Sequence, residues 1–290
     1  MKITTDVTTG ETARKCASQR SRPWLALPAG LRLYCLLWAV LCAAPCPAEE
    51  SAAEVSPGRA LLEDTKLYVT APLRWDEKDW SYFAGTMLAI GVAHEFDETA
   101  RHAFERSAGA PLDGKDPNST RDALPALGLV AGTWAVGALA HDGADRHEAW
   151  SMVEAAGFSM ASTAVLKFAT GRKRPNETTK VDDWFQSGDS FPSMHVSAAF
   201  AIGTVLAESG GDEHRFLRRA LGYGVAGVTA FARLHDNVHW FSDVVAGAAL
   251  GMASARFVVK RDAARTRRSG FNVVPVEGGV MLTYWRVPAS

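Results

Sequence analysis

Beyond position 46 the chain has no cysteine: all four, Cys16, Cys35, Cys42 and Cys46, lie in the first 48 of its 290 residues. Whatever folds after that point is built without a disulfide framework and is indifferent to an oxidising compartment. Long apolar runs are also scarce. The apolar stretches reach about 14 to 18 residues, where a membrane span takes ~20, and mean hydropathy is −0.05. Net charge is almost absent, with 31 basic residues against 32 acidic ones. That balance hides a split: residues 1–48 carry six basic and two acidic residues, which leaves the rest with 25 basic and 30 acidic, a net charge of −5. An acidic body argues against general nucleic-acid binding. There is no internal repeat and no low-complexity tract.

The first 48 residues have the layout of a secretory signal peptide. Basic residues precede an apolar run over 31–44, and Cys46-Pro47-Ala48-Glu49 offers cleavage after Ala48. An uncleaved anchor helix is the alternative. Residues 49–79 read as a polar leader with one short amphipathic helix over 59–68. Helices follow at 80–96, 124–141, 149–168, 193–208, 215–233 and 239–260. The segments 111–121 and 171–189, rich in turn formers, read as loops. The tail, 269–290, alternates apolar and polar residues on either side of Gly278-Gly279 and reads as a β-hairpin. The expected fold is all-α: a bundle of about six core helices over residues 80–268.

Three short stretches carry the chemistry: Lys167-x6-Arg174-Pro175, then Pro192-Ser193-Met194-His195, then Arg233-x5-His239-x3-Asp243. Lys167 and Arg233 fall at helix C-terminal ends, whereas Ser193, His195 and His239 fall at N-terminal ends. In an up-down bundle with short connections these ends meet at one face. Helix N-termini there add unpaired N–H groups that suit a phosphate. Lys167, Arg174 and Arg233 can neutralise phosphoryl oxygens, with the Ser193 hydroxyl and the Met194 amide as further donors. His239, four residues before Asp243, is the candidate nucleophile. A carboxylate on one ring nitrogen leaves the other free to attack. His195 is then the general acid for the leaving oxygen and the base that activates water.

These stretches resemble the signature of the type 2 phosphatidic acid phosphatase superfamily, which also takes in bacterial acid phosphatases and vanadium haloperoxidases. The resemblance spans about residues 149–258. It implies an all-helical fold and a phosphohydrolase that needs no metal or other cofactor and works through a phosphohistidine. The substrate it implies is a phosphomonoester or diphosphate, in particular a lipid-linked one. Two positions depart from the family pattern: Met194 stands where glycine is usual, which keeps the backbone N–H, and Ala232 precedes Arg233 where serine is frequent. Three other functions are compatible with the residues: a soluble periplasmic acid phosphatase, a vanadium-dependent haloperoxidase with His239 as metal ligand, and a non-catalytic phospholipid-binding module. The last would not need His195.

Other polar clusters read as structural. Arg172 and Lys173 look like a solvated basic loop, and Asp243 has the alternative of neutralising a buried cation. His94, Glu95 and Asp97 mark a helix end. His235, Asp236 and Asn237 lie in the loop before His239. His141, Asp142, Asp145 and His147 have metal-capable side chains but fall at a solvated turn, so no metal site is assigned. The basic residues Arg215, Arg218, Arg219, Arg256, Lys260, Arg261, Arg265, Arg267 and Arg268 fall at the end opposite the motifs, which by the positive-inside rule puts the motifs outside the cytoplasm. Parity opposes this, because three spans after a cleaved signal leave Lys167 inside. The expectation is an exported bundle, periplasmic and soluble or resting on a membrane surface, with a multi-pass membrane protein as the alternative.

Overall fold

The computed structural model describes residues 57–108, 116, 118–139, 143–210, 214–276 and 279–286. The signal segment and every cysteine lie outside them. Eight helices follow in order: α1 (Pro57–Val69), α2 (Glu77–Glu95), α3 (Asp97–Ala108), α4 (Ser119–Leu139), α5 (Gly143–Thr170), α6 (Met194–Glu208), α7 (Arg215–His235) and α8 (Phe241–Arg268). A 3-10 turn, Ala71–Arg74, joins α1 to α2. An antiparallel hairpin, β1 (Ser269–Val276) with β2 (Gly279–Arg286), pairs Ser269 with Arg286 and Val276 with Gly279.

Helix α6 is the axle of the bundle. Ten of its fifteen residues, including Val196, Ala199, Ile202 and Val205, are buried. A helix apolar on all sides must be surrounded, and α4, α5, α7 and α8 all pack on it. The core joins Met152, Ala155 and Phe158 of α5 to Ile202, Val205 and Leu206 of α6, Ala226 of α7, and Ala255 and Val258 of α8. Small residues set the spacing. A Cβ on Gly203 would overlap the Gly222 carbonyl, so α6 and α7 touch backbone to backbone. Helix α1 docks through Tyr68, which stacks on Phe158 at 4.7 Å and shares hydrogen bonds with Ser254 (2.8 Å) and Ser162 (3.1 Å).

Four elements differ from the sequence reading: α5 starts at Gly143 instead of 149, α8 runs to Arg268 instead of 260, and α3 and α4 differ as follows. Helix α3 was not expected, because in its charged sequence DETARHAFERSA the apolar stripe is short and built mostly of alanine, with Phe104 its one large member. Helix α4 starts at Ser119, five residues before the expected position and ahead of Pro125, so the expected 111–121 loop ends in a first helical turn. Helix α5 ends where Gly171 takes φ +51°, a conformation that suits glycine. The Gly171 N–H donates to Lys167 O at 2.9 Å, and the chain then turns inward through Arg172.

Candidate functional site

The antiparallel helices bring the C-terminal ends of α2, α5 and α7 and the N-terminal ends of α4, α6 and α8 to one end of the bundle. Residues 171–193 fold over that end. They are stitched down by Ser190 N donating to Arg172 O (2.9 Å), Lys173 N to Asp183 O (3.0 Å) and Ser193 N to Asp243 O (3.0 Å). The indole of Trp240 donates to Lys173 O at 2.8 Å. Asn237 closes the short α7–α8 connection at φ +53°, which asparagine tolerates better than most residues.

Lys167, Arg174, Ser193, Met194, His195, Arg233, His239 and Asp243 all lie at this end. Lys167 Nζ donates to the carbonyls of Asp189 and Ser190. Arg174 grips Asp189 with Nε at 2.7 Å and Nη2 at 2.9 Å. Arg233 is fully buried and binds Asp122 at 2.8 Å and both carboxylate oxygens of Asp116. Asp116 also meets Arg174 at 3.4 Å. Arg174 and Arg233 are thus already paired with three carboxylates, Asp116, Asp122 and Asp189, that no motif spacing singles out. Burial works against ionised Asp116 and Asp189, but bonds to Arg233 and Arg174 respectively outweigh it and hold both below the usual carboxylate range.

Ser193 occupies the N-cap position of α6, yet its hydroxyl makes no cap bond. Its Oγ is one of a small set of buried polar atoms without a partner, along with Arg233 Nε and His239 Nδ1. Met194 opens α6. His195 Nε2 lies 3.0 Å from Ser119 O and 3.2 Å from Ser119 Oγ at the start of α4.

His239 sits just ahead of α8 rather than in its first turn, and 3% of it is exposed. Its Nδ1 is 3.6 Å from Asp243 Oδ2. That oxygen already accepts Trp240 N at 2.9 Å and the Ser190 hydroxyl. Burial above all, and then the charges of Lys167, Arg233, Arg174 and His195, push the His239 ring well below the ordinary histidine pKa. The ring is therefore a neutral base, with Nδ1 towards the carboxylate and Nε2 on its far side.

Arg172 corrects the sequence reading most sharply. It is not solvated but 0% exposed, and it bridges Asp243 Oδ1 (2.7 Å) and Asp97 Oδ2 (2.7 Å). Its guanidinium lies 4.4 Å from the Trp184 ring and 5.1 Å from the Trp240 ring. An arginine in a basic run reads as solvent-facing because Lys and Arg are almost never fully buried unless paired, and its partners here are distant in sequence. His94 and Asp97 do stand at a helix end, but they join this network: His94 Nδ1 is 2.9 Å from Asp97 Oδ2. Of the turn around residue 145, His141 and Asp142 lie outside the described residues, and His147 faces Asp262 at 3.5 Å.

Comparison with known proteins gives a family match that coincides with these motifs. Residues 148–267 match the family model described as PAP2 superfamily. Over 86 residues the chain is 37% identical to the Lipid A 1-phosphatase of Porphyromonas gingivalis, an alignment covering 30% of this chain and 17% of that protein. Over 128 residues it is 29% identical to a PA-phosphatase related-family protein of Dictyostelium discoideum, covering 39% of this chain and 47% of that one. The chain therefore spans less than half the length of either curated relative. Among solved structures it is similar to Aquifex aeolicus LpxE, at 21% identity and a TM-score of 0.39 over 55% of this chain and 93% of that one. It is also similar to the first transmembrane PAP2 type phosphatidylglycerolphosphate phosphatase from Bacillus subtilis, at 20% identity and a TM-score of 0.43 over 64% and 96% of the two chains. The matched segment contains Lys167, Arg174, Ser193, His195, Arg233, His239 and Asp243 and excludes Asp97, Asp116 and Asp122. Over residues 148–267, the segment that holds these motifs, this chain is similar to the PAP2 superfamily.

Proposed function

We propose that the protein is a phosphohydrolase of lipid-linked phosphates that works without a metal through a phosphohistidine on His239. One observation carries this reading: buried donors without partners, Ser193 Oγ and Arg233 Nε, belong to the same helix-end cluster as a neutral, buried His239. A phosphoryl group has the acceptor oxygens such donors need, and its developing charge would be met by Lys167, Arg174 and Arg233. His239 Nε2 attacks phosphorus while Asp243 stabilises the ring through the Nδ1 side. His195 protonates the departing oxygen and then activates the water that releases phosphate. To bind, the substrate takes over guanidinium contacts that Asp116 now makes.

A lipid substrate is supported by the outer surface. Large apolar side chains face outward on α2 (Trp80, Phe83, Leu88), α4 (Leu124, Trp134, Leu139), α5 (Val165, Phe168) and α7 (Phe216, Leu217, Phe231). Large apolar side chains exposed on four helices suit a surface that faces lipid. Two helices, Ser119–Leu139 and Phe241–Arg265, are long and apolar enough to cross a membrane. The curated relative from P. gingivalis is itself named for a lipid phosphate. We place the bundle in a bilayer, with the arginine-rich end of α7 and α8 on the cytoplasmic side and the site on the other.

A substrate panel on detergent-purified full chain, with and without chelator, tests the reaction. Turnover of a lipid phosphate, insensitive to chelator, is expected. Loss of activity restored by zinc or magnesium would replace this reading with a metal phosphatase. Labelling of single cysteines at Gln186 and Arg219, with the native cysteines removed, tests orientation. Only Gln186→Cys should react with an impermeant reagent added outside intact cells.

A further inference from the structure

Asp97 opens α3, outside the segment that matches the family, and is 0% exposed. Both its oxygens are committed. Oδ1 accepts Ser242 N at 2.7 Å, and Oδ2 accepts the Ser242 hydroxyl at 2.7 Å and Arg172 Nη2 at 2.7 Å. Arg172 donates its other terminal nitrogen to Asp243 Oδ1 (2.7 Å) and Ser242 Oγ (2.8 Å). Asp97 therefore reaches Asp243 by two routes. One runs through the guanidinium to the carboxylate itself. The other runs through Ser242 to the first turn of α8, the backbone that carries Asp243.

We infer that Asp97 and Arg172 are positioning residues for the proposed nucleophile: they fix the rotation of the Asp243 carboxylate so that, with one oxygen held by Arg172, the other is presented to His239. A carboxylate on a free side chain turns about its own axis, and only one orientation aligns the imidazole. Here Oδ1 is held by Arg172, and Arg172 cannot swing because Asp97 holds its second nitrogen and Trp184 and Trp240 flank its plane. Only a forked cation spans two carboxylates in this way; a lysine ammonium is a single point. Neither residue has a bond to the proposed phosphate-binding groups Lys167, Arg174, Ser193 and Arg233, so their effect should fall on the chemical step rather than on phosphate binding. This inference rests on the phosphatase reading.

The test uses full-length protein in detergent, with p-nitrophenyl phosphate as substrate and inorganic phosphate as the ground-state ligand. In Asp97→Asn an amide N–H₂ opposes either Arg172 or the Ser242 N–H. The kcat should fall about 10- to 100-fold, the usual size when the partner of a functional histidine's support is removed. KM and the inhibition constant of inorganic phosphate should change by less than about threefold, as expected when an interaction made only in the transition state is lost. Arg172→Lys should lose nearly as much as Arg172→Gln, because charge without the fork does not restore the relay. Ser242→Ala, which removes one hydroxyl and no charge, carries the test if the buried-charge variants do not fold. It should lower kcat at least about fivefold, because the hydroxyl both accepts from Arg172 and donates to Asp97. Unchanged kcat in the folded variants overturns the inference. So does a parallel loss of inorganic phosphate binding and kcat, which would mark a role in folding alone. Absence of turnover by wild-type protein on every phosphate tried overturns the phosphatase reading instead, a result told apart by the wild-type arm.

Discussion

His239 Nδ1 stands 3.6 Å from Asp243 Oδ2, and both side chains are buried. At this distance the carboxylate stabilises a charged ring without closing a hydrogen bond. The contact should tighten as the ring gains charge on phosphorylation. His239→Ala should abolish turnover and the acid-labile phosphoenzyme together. Asp243→Asn should keep the affinity for inorganic phosphate while kcat falls about 10²- to 10⁴-fold, the range seen when the orienting carboxylate of a catalytic histidine is neutralised. Phosphoenzyme formed by His239→Ala would assign the nucleophile elsewhere.

The acid side of the pH profile reports the ring. Burial, and then the positive charges of Lys167, Arg233 and Arg174, hold the His239 pKa well below its ordinary 6.5. The base is therefore already deprotonated at neutral pH, and activity is lost only as pH falls through the lowered value. Lys167→Met removes one cation. It should move the acid limb of kcat/KM upward, because imidazolium is then less disfavoured. A downward move, after correction for substrate ionisation, would contradict the electrostatic assignment.

His195 should matter in proportion to how badly the leaving group needs a proton. An alkoxide leaves poorly without one, whereas p-nitrophenolate leaves with little help. In single-turnover experiments His195→Ala should slow phosphorylation by an alkyl phosphate at least tenfold more than by p-nitrophenyl phosphate. Equal losses would leave His195 as a binding residue.

Asp116 competes with substrate for Arg233 and Arg174. It stays ionised throughout the neutral range because its pKa is held below the usual carboxylate value. Asp116→Asn should therefore tighten vanadate binding about tenfold, by removing an anion from the same donors. Weaker binding would show instead that Asp116 holds the arginines in place for the phosphate.

The sequence made the bundle and its motif helices legible, because apolar periodicity and turn residues are local signals. It could not reveal α3, whose place is set by buried Asp97 and a single large apolar side chain, Phe104 against Phe231. The motif spacings drew attention to Lys167, Arg174, Arg233 and the two histidines. They were silent on Asp97, Asp116, Asp122 and Asp189, whose pairing with those cations depends on tertiary proximity. Arg172 was misread for the same reason. A cation's burial is decided by partners 71 and 75 residues away along the chain, Asp243 and Asp97.

The contact between Gly203 and Gly222 lies ten residues below Ser193 and eleven below Arg233, about 15 Å along each helix. With no side chain between them, the two helices act as a pair of callipers whose pivot has no slack. One added methyl at the pivot would open the jaws, and the gap between the Ser193 hydroxyl and the Arg233 guanidinium would widen with it. The gauge of the site is thus set far from the site, and small-residue substitutions deep in the bundle become a way to tune how large an anion it grips.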